Sequence, residues 1–291
     1  MRAFRVFGSG ILGVLVLAGS LPAQQSPALA DLLARAAAYV ASYAERVSGA
    51  VLEEEYLLME LGPRMQVPKR IGSDVVFLSL NGLVIALRDV YAIDTTPLRE
   101  RTPRIPELLA RPTPEKWQLA QEYARQGHFH FLTEIVIRGS EPTLALQFIA
   151  EANQTAITYR LDGRKALNGV QLLGVRFEET KRRDGVYLLD TRGNAAASGR
   201  FWIDPADGTI QQTELWLESS TEVARMSVTY AAHPALKLWL PKETTETYES
   251  RQIGVGASAS GSAHNLVHRV EGKARYSNAR YSPIDLTKGG L

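Results

Sequence analysis

The chain has 291 residues, with 33 Lys and Arg against 31 Asp and Glu, 45% hydrophobic residues and no cysteine. The missing thiols exclude disulfide stapling, thiolate metal sites and attachment through a lipidated N-terminal cysteine, so stability has to come from a packed core. The near-balanced charge gives no compositional support to a nucleic-acid surface.

The first residues, MRAFRVFGSGILGVLVLAGSLPAQQ, place Arg2 and Arg5 before an apolar run from Ile11 to Ala18 and then Leu-Pro-Ala. This is the pattern of a secretory signal peptide, residues 1–23, with cleavage expected after Ala23 and a later cut after Ala30 as the alternative. The run is shorter than the ~20 residues that span a bilayer. No later apolar stretch is long enough to anchor the chain once the signal is removed. Of the 33 basic residues the signal takes two and of the 31 acids none, which leaves 31 against 31. The expectation is a periplasmic or secreted protein whose residues 24–291 form a single β-rich domain.

Residues 31–48, DLLARAAAYVASYAERVS, carry Leu32, Ala36, Tyr39, Tyr43 and Val47 at steps of three and four. That spacing makes one apolar face of a helix, with Gly49 as its stop. VLEEEYLLMEL and SDVVFLSLNGLVIALRDVYAID follow, rich in β-branched and large apolar residues and broken by Asn81-Gly82, a hairpin dipeptide. From about 95 to 127, Pro97, Pro103, Pro106, Pro112 and Pro114 divide short helical pieces that contain Leu108, Leu109, Trp117, Leu119 and Tyr123. This segment is too apolar for a free linker and is expected to be a helical insertion covering one face of a sheet.

Beyond Phe129 short strands alternate with turn signals. They are TAITYRLDG, VQLLGVRFEET preceded by the turn dipeptide Asn168-Gly169, DGVYLLD, GRFWID, TIQQTELWLE, EVARMSVTYAA and LKLWLPKETTETYES, with a last piece around NLVHRVEGKARYSN. Ala224, Met226, Val228 and Tyr230 alternate with Arg225, Ser227 and Thr229, the period of a half-buried strand. Turns this brief make successive strands antiparallel neighbours. Asp204-Pro205-Ala206-Asp207-Gly208 reads as one such turn, its two acids acting as turn-formers rather than catalysts. The fold class expected is therefore α+β and β-rich: a curved, open antiparallel sheet, or half-barrel, with an N-terminal helix and a helical insertion over one face.

Chemistry finds little purchase. His264 and His268 have the spacing of a helical zinc pair, but Asn265 stands where the metalloprotease pattern needs a glutamate. The flanking residues also read as a strand, on which the two positions are ~13 Å apart. His128 and His130 share a strand face without a third ligand nearby. GASAS, residues 256–260, ends in Ser260 instead of the glycine of a nucleophile elbow, and its neighbours read as a flexible loop. Glu53, Glu54 and Glu55 alternate in direction on a strand, so at most Glu53 and Glu55 pair, and a solvated edge is expected. Neither a P-loop nor a dinucleotide fingerprint is present. No catalytic residue, metal site or cofactor is expected.

Aromatic residues remain. Trp216 shares a strand face with Glu214 and Gln212, while Leu215 and Leu217 point the other way. Such strands fit a broad sheet covered over part of its length. Trp202, Trp216 and Trp239, with Trp117 and Tyr230, are either core or the lining of a cavity between sheet and helices, and these five form the candidate ligand-binding set.

GRFWIDPADGTIQQTEL, followed by EVARMSVTYAAHPALKLWLPKETTETYE, resembles the closing strands of secreted bacterial proteins. It is also similar to the tryptophan, isoleucine, aspartate, turn, glycine and Thr/Glu-rich strand pattern of the LolA/LolB-like lipoprotein-sorting superfamily, over roughly residues 150–280. The resemblance implies an open antiparallel half-barrel around a helical layer, an apolar cavity that accepts a lipid, an acyl chain or another hydrophobic ligand, and no cofactor. This chain is longer than the compact carriers, has the large Pro-rich segment and lacks the lipoprotein cysteine of the receptor branch. The leading expectation is a non-enzymatic exported protein that binds a hydrophobic molecule or an envelope component. A module that meets an envelope protein partner is second, and a hydrolase using unrecognised His and carboxylate residues is third, with the joint substitution of His264 and His268 as its test.

Overall fold

The apolar steps at Leu32, Ala36, Tyr39, Tyr43 and Val47 produce helix α1 (Pro27–Val47). Leu32, Ala36, Tyr43 and Val47 are fully buried and Tyr39 partly so. The structure, a computed structural model, describes residues 27–61, 68–80, 83–98, 100, 104, 115, 141–180, 196–218, 222–252 and 266–281. The expected signal, the Asn81-Gly82 turn, nearly all of the expected helical insertion with Trp117, the His128/His130 pair, the DGVYLLD strand, the GASAS stretch and His264 lie outside the described residues.

Eleven strands follow: β1 (Ala50–Leu61), β2 (Lys69–Leu80), β3 (Leu83–Ile93), β4 (Thr96–Pro97), β5 (Ile157–Leu167), β6 (Val170–Glu179), β7 (Ala196–Ile203), β8 (Ile210–Glu218), β9 (Glu222–His233), β10 (Leu238–Gln252) and β11 (Leu266–Tyr281). All pairings are antiparallel, and the order is β4-β3-β2-β1-β11-β10-β9-β8-β7-β6-β5. Two meanders, β1–β4 and β5–β11, are thus joined where the first strand pairs with the last. Among the described residues the sheet does not close, and β4 and β5 are its two edges. It is a curved half-barrel with α1 on one face. Thr96–Pro97, at the start of the expected insertion, extends the sheet as β4 against Ala92 and Ile93.

Turn chemistry sets the registers. Leu167 pairs with Val170 around Asn168 and Gly169, both at positive φ (52° and 80°), the backbone of a two-residue hairpin turn. Between β7 and β8 the Asp204 carboxylate accepts from the Ala206 amide at 2.9 Å, and the Asp207 carboxylate accepts from that of Thr209 at 2.9 Å. Both acids are turn-formers, as expected. Gly208 has φ 81°, and a Cβ there would lie 2.5 Å from the backbone carbon of Arg35, so this turn docks directly on α1.

Side chains at alternate positions of each strand point toward α1 or away from it. On the α1 side, Leu52, Val75, Phe77, Val175, Phe201, Leu215, Val228 and Tyr230 join the helix in one hydrophobic cluster. Phe148, Phe177 and Phe201 stack within it, with centroids 5.0 and 4.7 Å apart. Among the described residues no helix is long and apolar enough to cross a membrane.

Candidate functional site

α1 is fixed at its C-terminal end. Arg46 donates to the Lys237 carbonyl (3.1 Å), the Tyr281 hydroxyl donates to the Arg46 carbonyl (2.6 Å), and the Ser79 amide donates to the Ser48 hydroxyl (3.3 Å). Residues 141–156 form a second body on the same face, with 3-10 turns at Leu144–Phe148 and Glu151–Ala156. They are held by hydroxyls. Tyr230 donates to the Pro142 carbonyl at 2.7 Å, Tyr159 to that of Phe148 at 2.5 Å, and Thr143 to that of Val84 at 3.4 Å.

Between these two bodies lies a cleft of about 860 Å³, within the ~300–1,000 Å³ range of small-molecule sites. One wall is an alanine stripe on α1: Ala30, Ala34, Ala38 and Ala41 are exposed, and Leu33, Ala37, Val40 and Ala44 are buried beneath them. Alanine keeps the helix while adding only a methyl group, so the helix surface is recessed along this line. Ala150 and Ala152 face it from the other side, and Glu45, Ser79, Glu151, Asn153 and Gln154 supply the polar groups of the lining. The two amides are already engaged: Asn153 donates to the Gln147 carbonyl (2.7 Å) and Gln154 to that of Ile149 (2.9 Å), which fixes the wall they stand on.

A buried polar cluster sits on the same face of β1, β2, β3, β10 and β11. Arg88 makes a two-pronged contact with Glu54 at 2.6 and 2.9 Å, and the Ser73 hydroxyl donates to Glu54 at 2.7 Å. Tyr248 donates to Glu246 at 2.5 Å, Thr244 contacts the Tyr276 hydroxyl at 3.4 Å, and the Arg88 guanidinium lies 5.7 Å from the Tyr56 ring centre. Burial first, then the neighbouring carboxylates, push the Tyr56 and Tyr276 hydroxyls well above the usual tyrosine range. Burial and Glu246 do the same to Tyr248. These phenols therefore stay protonated and cannot serve as bases near neutral pH. Glu141, at the start of the 141–156 body and partly exposed as a residue, has its carboxyl pushed up to about 7 by burial, with Arg88 pulling the other way.

The expected solvated edge at Glu53–Glu55 is corrected here. β1 is central, flanked by β2 and β11, and its middle acid, Glu54, is buried against Arg88. Glu53 and Glu55 point to the opposite face, where they meet Asn278 and Arg70. His268 falls on strand β11, paired with Ser250. Among the described residues no group of three His, Asp or Glu side chains is placed to hold a metal ion.

Of the five residues singled out as ligand contacts, Tyr230 is buried on the α1 side and secures Pro142. Trp239 is half-buried against the core. Trp202 and Trp216 lie on the face away from α1, where Trp202 donates to Glu214 at 3.0 Å. The alanine stripe was legible as Ala30, Ala34, Ala38 and Ala41 at steps of three and four on α1, yet the larger apolar residues drew attention to the buried face instead. Glu54 and Arg88 are 34 residues apart, and no local pattern joins them.

The fold and cleft together define an open antiparallel half-barrel that holds a helix and a groove on its inner face. Solved structures similar to the chain include an outer-membrane lipoprotein-sorting protein domain from Vibrio parahaemolyticus (9% identity, covering 85% of this chain and 93% of that one, TM-score 0.38). Others are a LolA superfamily protein from Nitrosomonas europaea (13%, 88% and 98%, TM-score 0.30) and the lipoprotein LppX from Mycobacterium tuberculosis (10%, 88% and 97%, TM-score 0.29). No protein-family model and no curated protein matches the chain.

Two outcomes follow from the polar cluster. Arg88→Met leaves Glu54 buried without its partner and should cost about 3–5 kcal/mol in urea unfolding, most of it regained in the Glu54→Leu/Arg88→Met double variant; a loss under ~1 kcal/mol would contradict the buried pair. Because folding raises the Glu141 value from 4.5 to about 7, the folded chain keeps a proton that the unfolded chain releases. This contribution to stability is complete below pH 4.5, declines as pH rises toward 7 and is absent above it. Unfolding free energies measured across that window should show this decline in the wild type, and Glu141→Gln should remove it.

Proposed function

We propose that the protein is an exported, non-enzymatic binder of an elongated hydrophobic molecule, such as an acyl chain, which lies in the cleft between α1 and residues 150–154. The observation that carries this reading is the alanine wall: a cleft of about 860 Å³ whose helix side presents methyl groups, with polar groups elsewhere in the lining to meet a head group. Burying an acyl chain there is favourable at roughly 25 cal/mol per Å² of apolar surface removed from water. The non-enzymatic part rests on the polar cluster of the inner face, where Glu54 and Arg88 are committed to one another and the phenols of Tyr56, Tyr248 and Tyr276 remain protonated. Export rests on the signal pattern of residues 1–23.

Ala38 is exposed on the cleft wall, so Ala38→Phe should fill the cleft without disturbing the core. The expected result is a loss of about tenfold or more in affinity for a fluorescent fatty acid, with the unfolding free energy in urea within about 0.5 kcal/mol of wild type. Undiminished uptake by Ala38→Phe would remove the cleft as the site.

A further inference from the structure

The face of the sheet away from α1 carries basic side chains that mostly have acidic partners. Arg70 meets Glu55 at 3.2 Å, Arg269 meets Glu249 and Glu271 at 3.1 and 2.7 Å, Lys273 meets Glu243 at 3.1 Å, and Arg280 meets Asp74 at 3.1 Å. At the β5 edge this pattern breaks. Arg160 on β5, Arg176 on β6 and Arg200 on β7 stand directly opposite one another in register. All three point away from α1, because Tyr159, Phe177 and Phe201, which alternate with them, are buried on its side. Like charges directly opposite each other on neighbouring strands are destabilising.

Arg200 is neutralised by Asp162 at 2.6 Å and Glu214 at 3.7 Å. The other two are not. Arg160 is exposed and has no acidic partner among the described residues. Arg176 reaches only Glu178, at 3.8 Å, whose side chain is 62% exposed. The Arg176 Nε is buried without an acceptor among the described residues. Its guanidinium is held 5.4 Å from the Trp216 ring centre, and exposed Arg225 sits across from Trp216 on β9.

We infer that Arg160 and Arg176 form a binding site for a phosphate group. Two guanidinium groups on adjacent strands, whose backbones run ~4.8 Å apart, present planar donor forks to one tetrahedral oxyanion. Arginine matches that geometry better than lysine does. The anion removes the repulsion between the two cations and displaces the loosely held Glu178 carboxylate, while Trp216 keeps the Arg176 fork oriented. The site is on the opposite face from the cleft and stands independently of it. The phosphate group belongs either to a lipid headgroup or to a soluble phosphate.

The test measures binding to the full mature chain of inorganic phosphate, by isothermal titration calorimetry, and of phosphatidic acid vesicles against phosphatidylcholine vesicles, by co-sedimentation. Arg160→Ala and Arg176→Gln should each weaken phosphate binding about tenfold. Arg70→Ala, which removes a paired cation from the far half of the same face, should leave it unchanged. Retention of phosphatidic acid vesicles that is lost in both variants assigns the lipid source. Equal loss for inorganic phosphate without a vesicle preference assigns a soluble phosphate. The proposal is overturned if the wild-type chain binds neither probe, if both variants bind as the wild type does, or if Arg70→Ala weakens binding as much as they do. Since Arg160 is exposed at the edge strand, Arg160→Ala keeps the test free of a folding defect even if Arg176→Gln loosens Trp216.

Discussion

Among the described residues one long helix lies on the inner face of a sheet much wider than itself, and the arrangement of those residues follows from that mismatch. α1 has 21 residues, which makes it about 32 Å long and about 10 Å across. Eleven strands at ~4.8 Å spacing make a sheet about 48 Å wide. The helix lies against β2, β3 and β10, and the β7–β8 turn touches its backbone at Gly208. A single helix reaches both halves of the sheet only because the sheet curves around it. The inner surface that the helix leaves is taken up in part by residues 141–156, fastened by tyrosine and threonine hydroxyls. Between the two coverings remains the alanine-walled cleft.

Part of the inner face is covered by polar chemistry instead of bulk. Glu54, Ser73, Thr244 and Glu246 are all buried, on strands that bring together the first and last segments of the chain. A buried carboxylate is tolerated when its lone pairs are met, and Arg88 with Ser73 does this for Glu54. The arrangement ties β1, β2 and β3 in one network at the place where β1 and β11 join the two meanders. Within it Arg88 and Glu54 are committed to each other, and Glu246 is held by the Tyr248 hydroxyl.

Much of the framework could be read locally. The helix stop at Gly49, the Asn168–Gly169 hairpin and the Asp204–Gly208 turn each depend on residues next to one another, and all lie where their chemistry places them. What could not be read depends on pairing over long sequence distances. The β1–β11 ladder joins Ala50 to Tyr281, and it turns an expected edge at Glu53–Glu55 into the centre of the sheet. Alternation separates Trp216 from Leu215 but does not say which face the helix takes. The answer runs against size. The helix side receives Gln211 and Thr213, both buried, while Trp202 and Trp216 go to the outer face, where cations lie over their rings. The alanine stripe escapes hydrophobic periodicity, because a recess is marked by small residues and the periodicity registers large ones.

The sheet therefore offers two surfaces of opposite character: an inner one divided between core, polar tie and apolar cleft, and an outer one of paired charges that loses its balance at the β5 edge. Ligand capture on the inner side is the central claim. Its most direct test is native mass spectrometry, with organic extraction, of the protein expressed with its N-terminal segment and purified without detergent. The account predicts an added mass that extracts as lipid from the wild-type protein. A clean apo mass that stays unchanged when lipids are offered would contradict it.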